Sequence, residues 1–315
     1  MRVLLSAGLV ALALAAGCTR RAASDSGRTA VRLQTDWYAQ PEHGGFYQAQ
    51  AAGLYARAGL DVTILEGAPS NPPPQVVAAG HAEFGIGRSD DIIIAASRGI
   101  PLVMLAAFMQ KDPQGILYHQ GQGIHSFADL NGRNLMAIPG SNFLRILEHD
   151  GIHVSVTPSD FGISRFLASP AMVAQCFVTN EPYYARKAGA AVGVLLLSDE
   201  GFSPYRVFYT RRDYLESHPH VVAAFTKASL AGWREYVSGD NRAANARIRE
   251  LNPRMTPDFE AYCLAAMKKY HLIDGDAAAG DELGRINPAR IAQQIRQLQA
   301  IGVLSRPVTV AEVLP

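Results

Sequence analysis

Val31, Leu33 and Thr35 alternate with Arg32, Gln34 and Asp36, the period of two that a half-buried strand requires. This run passes into Phe46, Ala49, Gln50, Gly53 and Leu54, which recur at helical spacing and predict a helix over 44–58. The joint between them carries Trp37, Tyr38, Pro41, Glu42 and His43, then Gly44 and Gly45, a pair that lets backbone come close to a ligand. Further apolar runs at 60–65, 82–86 and 101–108 are separated by helical patterns at 74–79 and 90–98, with Ser89 placed to cap the last. Strands and helices alternating at this length predict a parallel sheet covered on both faces. The turns at 37–45, 66–72 and 87–90 then leave the same end of that sheet, where open α/β sheets place their ligands.

A second unit starts at the break over 111–115. Strand patterns at 115–119, 134–138, 152–156, 175–178 and 192–197 alternate with helical ones at 142–148 and 159–168. The run at 206–210 reads as a strand returning to the first unit, and everything after Arg211 is helical, at 221–237, 241–250, 257–270 and 288–300. A chain of 315 residues also exceeds the size at which single cores stop growing. Two α/β lobes are therefore expected, one from 31–112 and 207–315, the other from 113–206.

Lys and Arg number 29 against 28 Asp and Glu, with no long run of one sign, so nothing favours nucleic acid as a partner. The apolar run 3–16 behind Arg2 is too short to span a bilayer and reads as the core of a signal peptide over 1–17. Ala15-Ala16-Gly17-Cys18 resembles a bacterial lipobox, with Ala15 where Leu is usual, so Cys18 is expected to carry the lipid and 18–30 to form a tether. An ordinary secretory signal with a chance cysteine is the competing account. Cys176 and Cys263 lie far apart, outside any metal-ligand spacing, and read as buried thiols; no metal site is expected.

Asp36-Trp37-Tyr38, then Pro41-Glu42-His43-Gly44-Gly45-Phe46-Tyr47, Gly53-Leu54-Tyr55 and Gly59-Leu60-Asp61-Val62 resemble the opening of the NMT1/THI5-like (SsuA/THI5-like) solute-binding proteins of ABC transporters. Phe127-Ala128-Asp129-Leu130-Asn131-Gly132-Arg133 matches a later segment of that family. The resemblance implies an α/β, two-lobed periplasmic-binding-protein fold of type II, with C-terminal helices packed on lobe one. It further implies a monomeric extracytoplasmic protein without cofactor, with an ABC permease and ATPase as partners and the membrane reached through the lipid alone. Pyrimidine-precursor, riboflavin, nitrate and sulfonate binders share the scaffold. One branch of the family comprises pyrimidine synthases holding pyridoxal phosphate on a lysine, with a nearby histidine and an iron-binding cysteine run. Gly87 stands where that lysine would be, Asp91 where the histidine would be, and 201–206 holds no cysteine, so a binder rather than an enzyme is expected.

Candidate ligand contacts follow from the strand ends. Trp37 and Tyr38 offer flat faces for stacking on a ring, with core packing as the rival role for Trp37. His43 could hydrogen-bond a heterocycle or be satisfied within its loop. Tyr47, Ser70, Ser89 and Asp90 sit at or beside the first-lobe turns; Ser141 and Asn142 open a helix in the second lobe and face them as counterparts. Asn180 and Glu181 could hold an amino group, unless Glu181 merely caps the next helix. Phe202 and Tyr205, near the second crossing, are expected to close over the ligand. The expected function is capture of a small aromatic heterocycle of the thiamine-pyrimidine type for import, with a sensory role as an alternative.

Overall fold

The computed structural model describes residues 27–315 except Pro69. The expected signal peptide, Cys18 and most of the tether lie outside the described residues.

The first half of the chain lays down β1 (Thr29–Gln34), α1 (Gly44–Ala51), α2 (Leu54–Arg57), β2 (Leu60–Leu65), α3 (Pro73–Ala78), β3 (Phe84–Arg88), α4 (Ser89–Ser97) and β4 (Leu102–Met109). It then crosses to β5 (Gln114–His119), β6 (Asn134–Ala137), α5 (Asn142–His149), β7 (Ser155–Pro158), α6 (Ser164–Ala168), β8 (Val173–Phe177), α7 (Glu181–Lys187) and β9 (Val192–Leu196). β10 (Arg206–Arg211) returns, followed by α8 (Arg212–Ser217), α9 (Pro219–Ser238), α10 (Arg242–Leu251), α11 (Pro257–Lys269), α12 (Pro288–Ala300) and α13 (Val310–Val313).

Two sheets result, in the orders β2-β1-β3-β10-β4 and β7-β6-β8-β5-β9. β1 pairs in parallel with β2 and β3, so the three turns that follow them leave one edge, as the alternation predicts. β10 runs antiparallel between β3 and β4 and sets Arg206 opposite Arg88. In the second sheet β6 is parallel to β7 and β8, while β5 is antiparallel to β8 and β9.

The helix expected over 44–58 is two helices, because Gly53 adopts φ 68 and breaks the run between α1 and α2. The one expected over 159–168 starts only at Ser164; before it Phe161 sits at φ 60, a conformation that few residues other than glycine tolerate. Ser89 is the first residue of α4 rather than its cap, which is Arg88.

α1 lies against α9. Its Gly44 and Gly45 have no room for a side chain, since a Cβ would collide with the rings of Tyr236 and Trp233. Phe46, Phe108 and Trp233 then meet edge-on or stacked at centroid distances of 5.2–5.7 Å. This apolar block anchors the turn that precedes α1. The C-terminal helices pack on the first lobe, and α11 also reaches the second, where Tyr183 and Tyr184 of α7 lie against Phe259 and the Tyr262 hydroxyl donates to the Val178 carbonyl at 2.8 Å.

Candidate ligand site between the two lobes

β1 and β3 run side by side and end in charge, and the chain places further charge at both crossings between the lobes. Asp36, just beyond β1, accepts from Arg206, the first residue of β10, and meets His43 Nε2 at 3.0 Å. Arg88, the last residue of β3, grips Asp90 through Nε at 3.0 Å and Nη2 at 2.6 Å, and donates to Gln114 Oε1 at 2.9 Å. Asp112, on the first crossing, lies 3.9 Å from Arg88 and 4.0 Å from Arg206, and its Oδ1 accepts from the Gln114 N–H. Two guanidiniums thus sit among four aspartates, Asp36, Asp90, Asp91 and Asp112.

Burial sets these groups against their neighbours. It would raise the Asp36 carboxyl, but Arg206 and His43 overcome it and hold the carboxyl well below the usual range. Burial likewise opposes the charge on Arg88 and Arg206, yet the surrounding aspartates keep both charged beyond their ordinary range. For Asp112, burial outweighs the pull of Arg88 and Arg206 and pushes the carboxyl up. Glu42, 8 % exposed, is pushed up to about 7, chiefly by burial.

Besides the Arg88–Gln114 bond, further contacts bridge the lobes across this cluster. Asn142 Nδ2 donates to Asp90 Oδ2 at 2.8 Å, and Thr179 Oγ1 donates to Glu42 Oε1 at 2.5 Å. Trp37, half-buried, lies 5.6 Å from the ring of Phe161, which the turn before α6 holds out at 57 % exposure. Asp91, next in the chain after Asp90, is open to solvent. A surface depression of about 530 Å³ lined by Leu105, Val222 and Leu230 shares none of these residues and lies on α9, away from the charges.

A family model described as NMT1/THI5 like matches residues 40–243, well over half of the chain. The chain belongs to the NMT1/THI5-like family. A formylaminopyrimidine-binding protein of Halalkalibacterium halodurans is 26% identical over 255 residues, 76% of each chain. A 4-amino-5-hydroxymethyl-2-methylpyrimidine phosphate synthase of Saccharomyces cerevisiae is 24% identical over 252 residues, 73% of each chain. Among solved structures, the periplasmic aliphatic sulphonate binding protein SsuA of Escherichia coli superposes with a TM-score of 0.68 at 15% identity, covering 91% of this chain and 97% of that one. That likeness concerns the fold: the two lobes are those of a type II periplasmic binding protein.

In this NMT1/THI5-like chain some expected contacts meet at the cleft and others do not. Trp37, Asp90 and Asn142 lie on it, and His43 backs it, fully buried, with Nδ1 lacking a partner. Tyr38 is exposed beneath Arg254, and Ser70 lies on an exposed turn. Tyr47 is core, its hydroxyl buried without a partner and pushed upward by burial. Ser89 is fully buried as a fastener: its hydroxyl donates to Gln294 at 2.6 Å and accepts from the Tyr205 N–H at 2.9 Å. The Ser141 hydroxyl turns back to the Ile138 carbonyl. Glu181 accepts from the Phe177 N–H at 2.7 Å and from Asn180 at 3.1 Å, so it ties β8 to α7 in the manner of a cap.

Phe202 and Tyr205 are packed in the core instead of standing over the cleft, under Arg88 at 5.8 Å and Arg290 at 3.9 Å respectively; apolar neighbours hold both rings there, and the Tyr205 hydroxyl accepts from the Asn287 N–H at 3.2 Å. The residues that the strand-and-turn reading misses as site groups are Asp36, Glu42, Arg88, Asp91, Asp112, Thr179, Arg206 and Phe161. A charge at the end of each predicted strand was the signal available for Asp36, Arg88 and Arg206.

The raised Glu42 carboxyl has a consequence for stability. The folded chain binds a proton there up to about pH 7, whereas an unfolded glutamate releases it near 4.5, so stability falls as pH rises through that window. Glu42→Gln keeps an acceptor for Thr179 and removes the titration. Its stability relative to wild type should therefore grow by about 3 kcal/mol between about pH 5 and about pH 8. Urea melts of both proteins across this range measure the difference, and a constant difference would contradict the assignment.

Proposed function

We propose that the protein is the extracytoplasmic solute-binding component of an ABC importer, and that it captures a small aromatic aminopyrimidine between lobe one, 31–112 with 207–315, and lobe two, 113–206. The observation that carries this reading is the acidic excess of the cleft. Asp36, Glu42, Asp90, Asp91 and Asp112 surround Arg88 and Arg206, and both guanidiniums are already paired with aspartates. A nitrate or sulfonate entering there would meet committed cations and surplus carboxyls, whereas an amino-heterocycle brings N–H donors to acceptors. The flat faces of Trp37 and Phe161 suit the ring itself. The name of the Halalkalibacterium halodurans relative points to the same chemical class.

Catalysis of the synthase kind fits less well. Pyridoxal phosphate needs an amine, Gly87 stands where the family resemblance puts it, and the charged groups of the cleft are carboxyls and guanidiniums. The permease and ATPase would meet a monomer held at the membrane by lipid on Cys18. Cys18→Ser should shift the protein from the membrane to the soluble fraction; equal membrane retention of both forms would contradict the anchor.

Calorimetric titration with 4-amino-2-methylpyrimidine, riboflavin, taurine and nitrate tests the ligand class. The aminopyrimidine should bind tightest, and Trp37→Ala should weaken it several-fold to about tenfold. Tighter binding of nitrate or taurine by the wild type would overturn the reading.

A further inference from the structure

Nearly every charged side chain at the ends of β1 and β3 is committed. Asp36 holds His43 and Arg206, Asp90 holds Arg88 and Asn142, and Glu42 accepts from Thr179. Asp91, the third residue of α4, is the exception: it is solvent-accessible, and no hydrogen bond or ion pair engages it among the described residues. Arg88 and Arg206 nevertheless act on it electrostatically, as do Asp90 and Asp112, so it belongs to the same cluster. Beside it a second acceptor is unfilled, since Asp112 Oδ2, in a residue 2 % exposed, has no hydrogen-bond partner.

We propose that Asp91 is the specificity-determining residue of the cleft, its carboxyl pairing at two points with the ring nitrogen and exocyclic amine of a 4-aminopyrimidine. The inference rests on the solute-binding reading above and names the group that selects the ligand. A neutral carboxyl carries one O–H donor and one carbonyl acceptor side by side. The O–H donates to the ring nitrogen, and the carbonyl accepts from the amine. Nitrate has no donor to return, and a methyl group in place of the amine leaves the acceptor unpaired.

The pair holds a single proton between carboxyl and ring. Exposed though the residue is as a whole, its carboxyl is crowded by protein, and that desolvation, with Asp90 and Asp112, raises it against Arg88 and Arg206, so the free protein already holds part of that proton near neutrality. The remaining group facing it is the buried hydroxyl of Tyr209, which is pushed far upward, mainly by burial, and stays neutral. As pH rises through the raised Asp91 pKa, binding must take up a proton, and affinity should fall toward tenfold per pH unit.

Titrations of wild type, Asp91→Asn and Asp91→Ala with 4-amino-2-methylpyrimidine and 2,4-dimethylpyrimidine, from about pH 7 to about pH 9, test this. The wild type should prefer the amine by about tenfold or more and lose affinity with rising pH. Asp91→Asn, whose carboxamide presents a donor and an acceptor in place of the neutral acid, should keep the preference and bind with a flatter pH profile. Asp91→Ala should lose the preference. Titration of Glu42 enters all three proteins alike and drops out of the comparison. A preference retained in Asp91→Ala, or a wild-type slope retained in Asp91→Asn, overturns the role of Asp91 and leaves the cleft reading standing. A wild type that binds neither pyrimidine overturns the cleft reading as well.

Discussion

The ion pair between Asp36 and Arg206 is the constraint on which the rest of the site depends. One partner ends the first strand of lobe one and the other opens the strand by which the chain returns from lobe two, so the pair closes a loop that contains the whole second lobe. Burial makes either charge alone unfavourable, and removing one partner of such a pair costs about 3–5 kcal/mol. The same logic recruits the neighbours: Arg88 needs Asp90, and Asp112 stands between the two guanidiniums. Because Asp112 and Arg206 lie on the two crossings, the charged cleft and the connections between the lobes occupy one place. A change in lobe orientation therefore changes the electrostatics felt by anything bound there.

Much of the architecture is legible in the chain because it is local. Period-two alternation at Val31, Leu33 and Thr35, the turns after the first three strands, the break near Lys111 and the return at Arg206 each rest on a few neighbouring residues. What escapes local reading is pairing at long range. Nothing around Asp36 names Arg206 as its partner, and nothing around Glu42 names Thr179. Ser89 has the sequence context of a cap, yet its hydroxyl is consumed by Gln294 and the Tyr205 backbone, both remote in sequence. Phe161 is hidden differently: its left-handed backbone interrupts a helical pattern, and that turn is what carries its ring to Trp37. Phe202 and Tyr205 mislead for a simple reason, since aromatic residues near a crossing serve a core as readily as a cleft.

The family contains proteins named as binders and proteins named as synthases on one scaffold, so fold alone does not separate the two activities. The separation lies in a few side chains. Here glycine and aspartate occupy the two positions where the resemblance places a lysine and a histidine, and the cleft is built from carboxyls locked to guanidiniums around one open carboxyl. That arrangement offers acceptors that suit a ligand with N–H donors, and position 87 carries no amine for a covalent cofactor link.

The central claim is that a flat aminopyrimidine lies in this cleft beside Trp37. The chain has 2 tryptophans, and the other, Trp233, is fully buried between α1 and β4. Tryptophan emission followed during titration with 4-amino-2-methylpyrimidine therefore reports on the cleft directly. The account predicts a saturable change in the wild type that disappears in Trp37→Phe, while calorimetry shows that this variant still binds. An equal change in both proteins, or none in the wild type at calorimetric saturation, would contradict it.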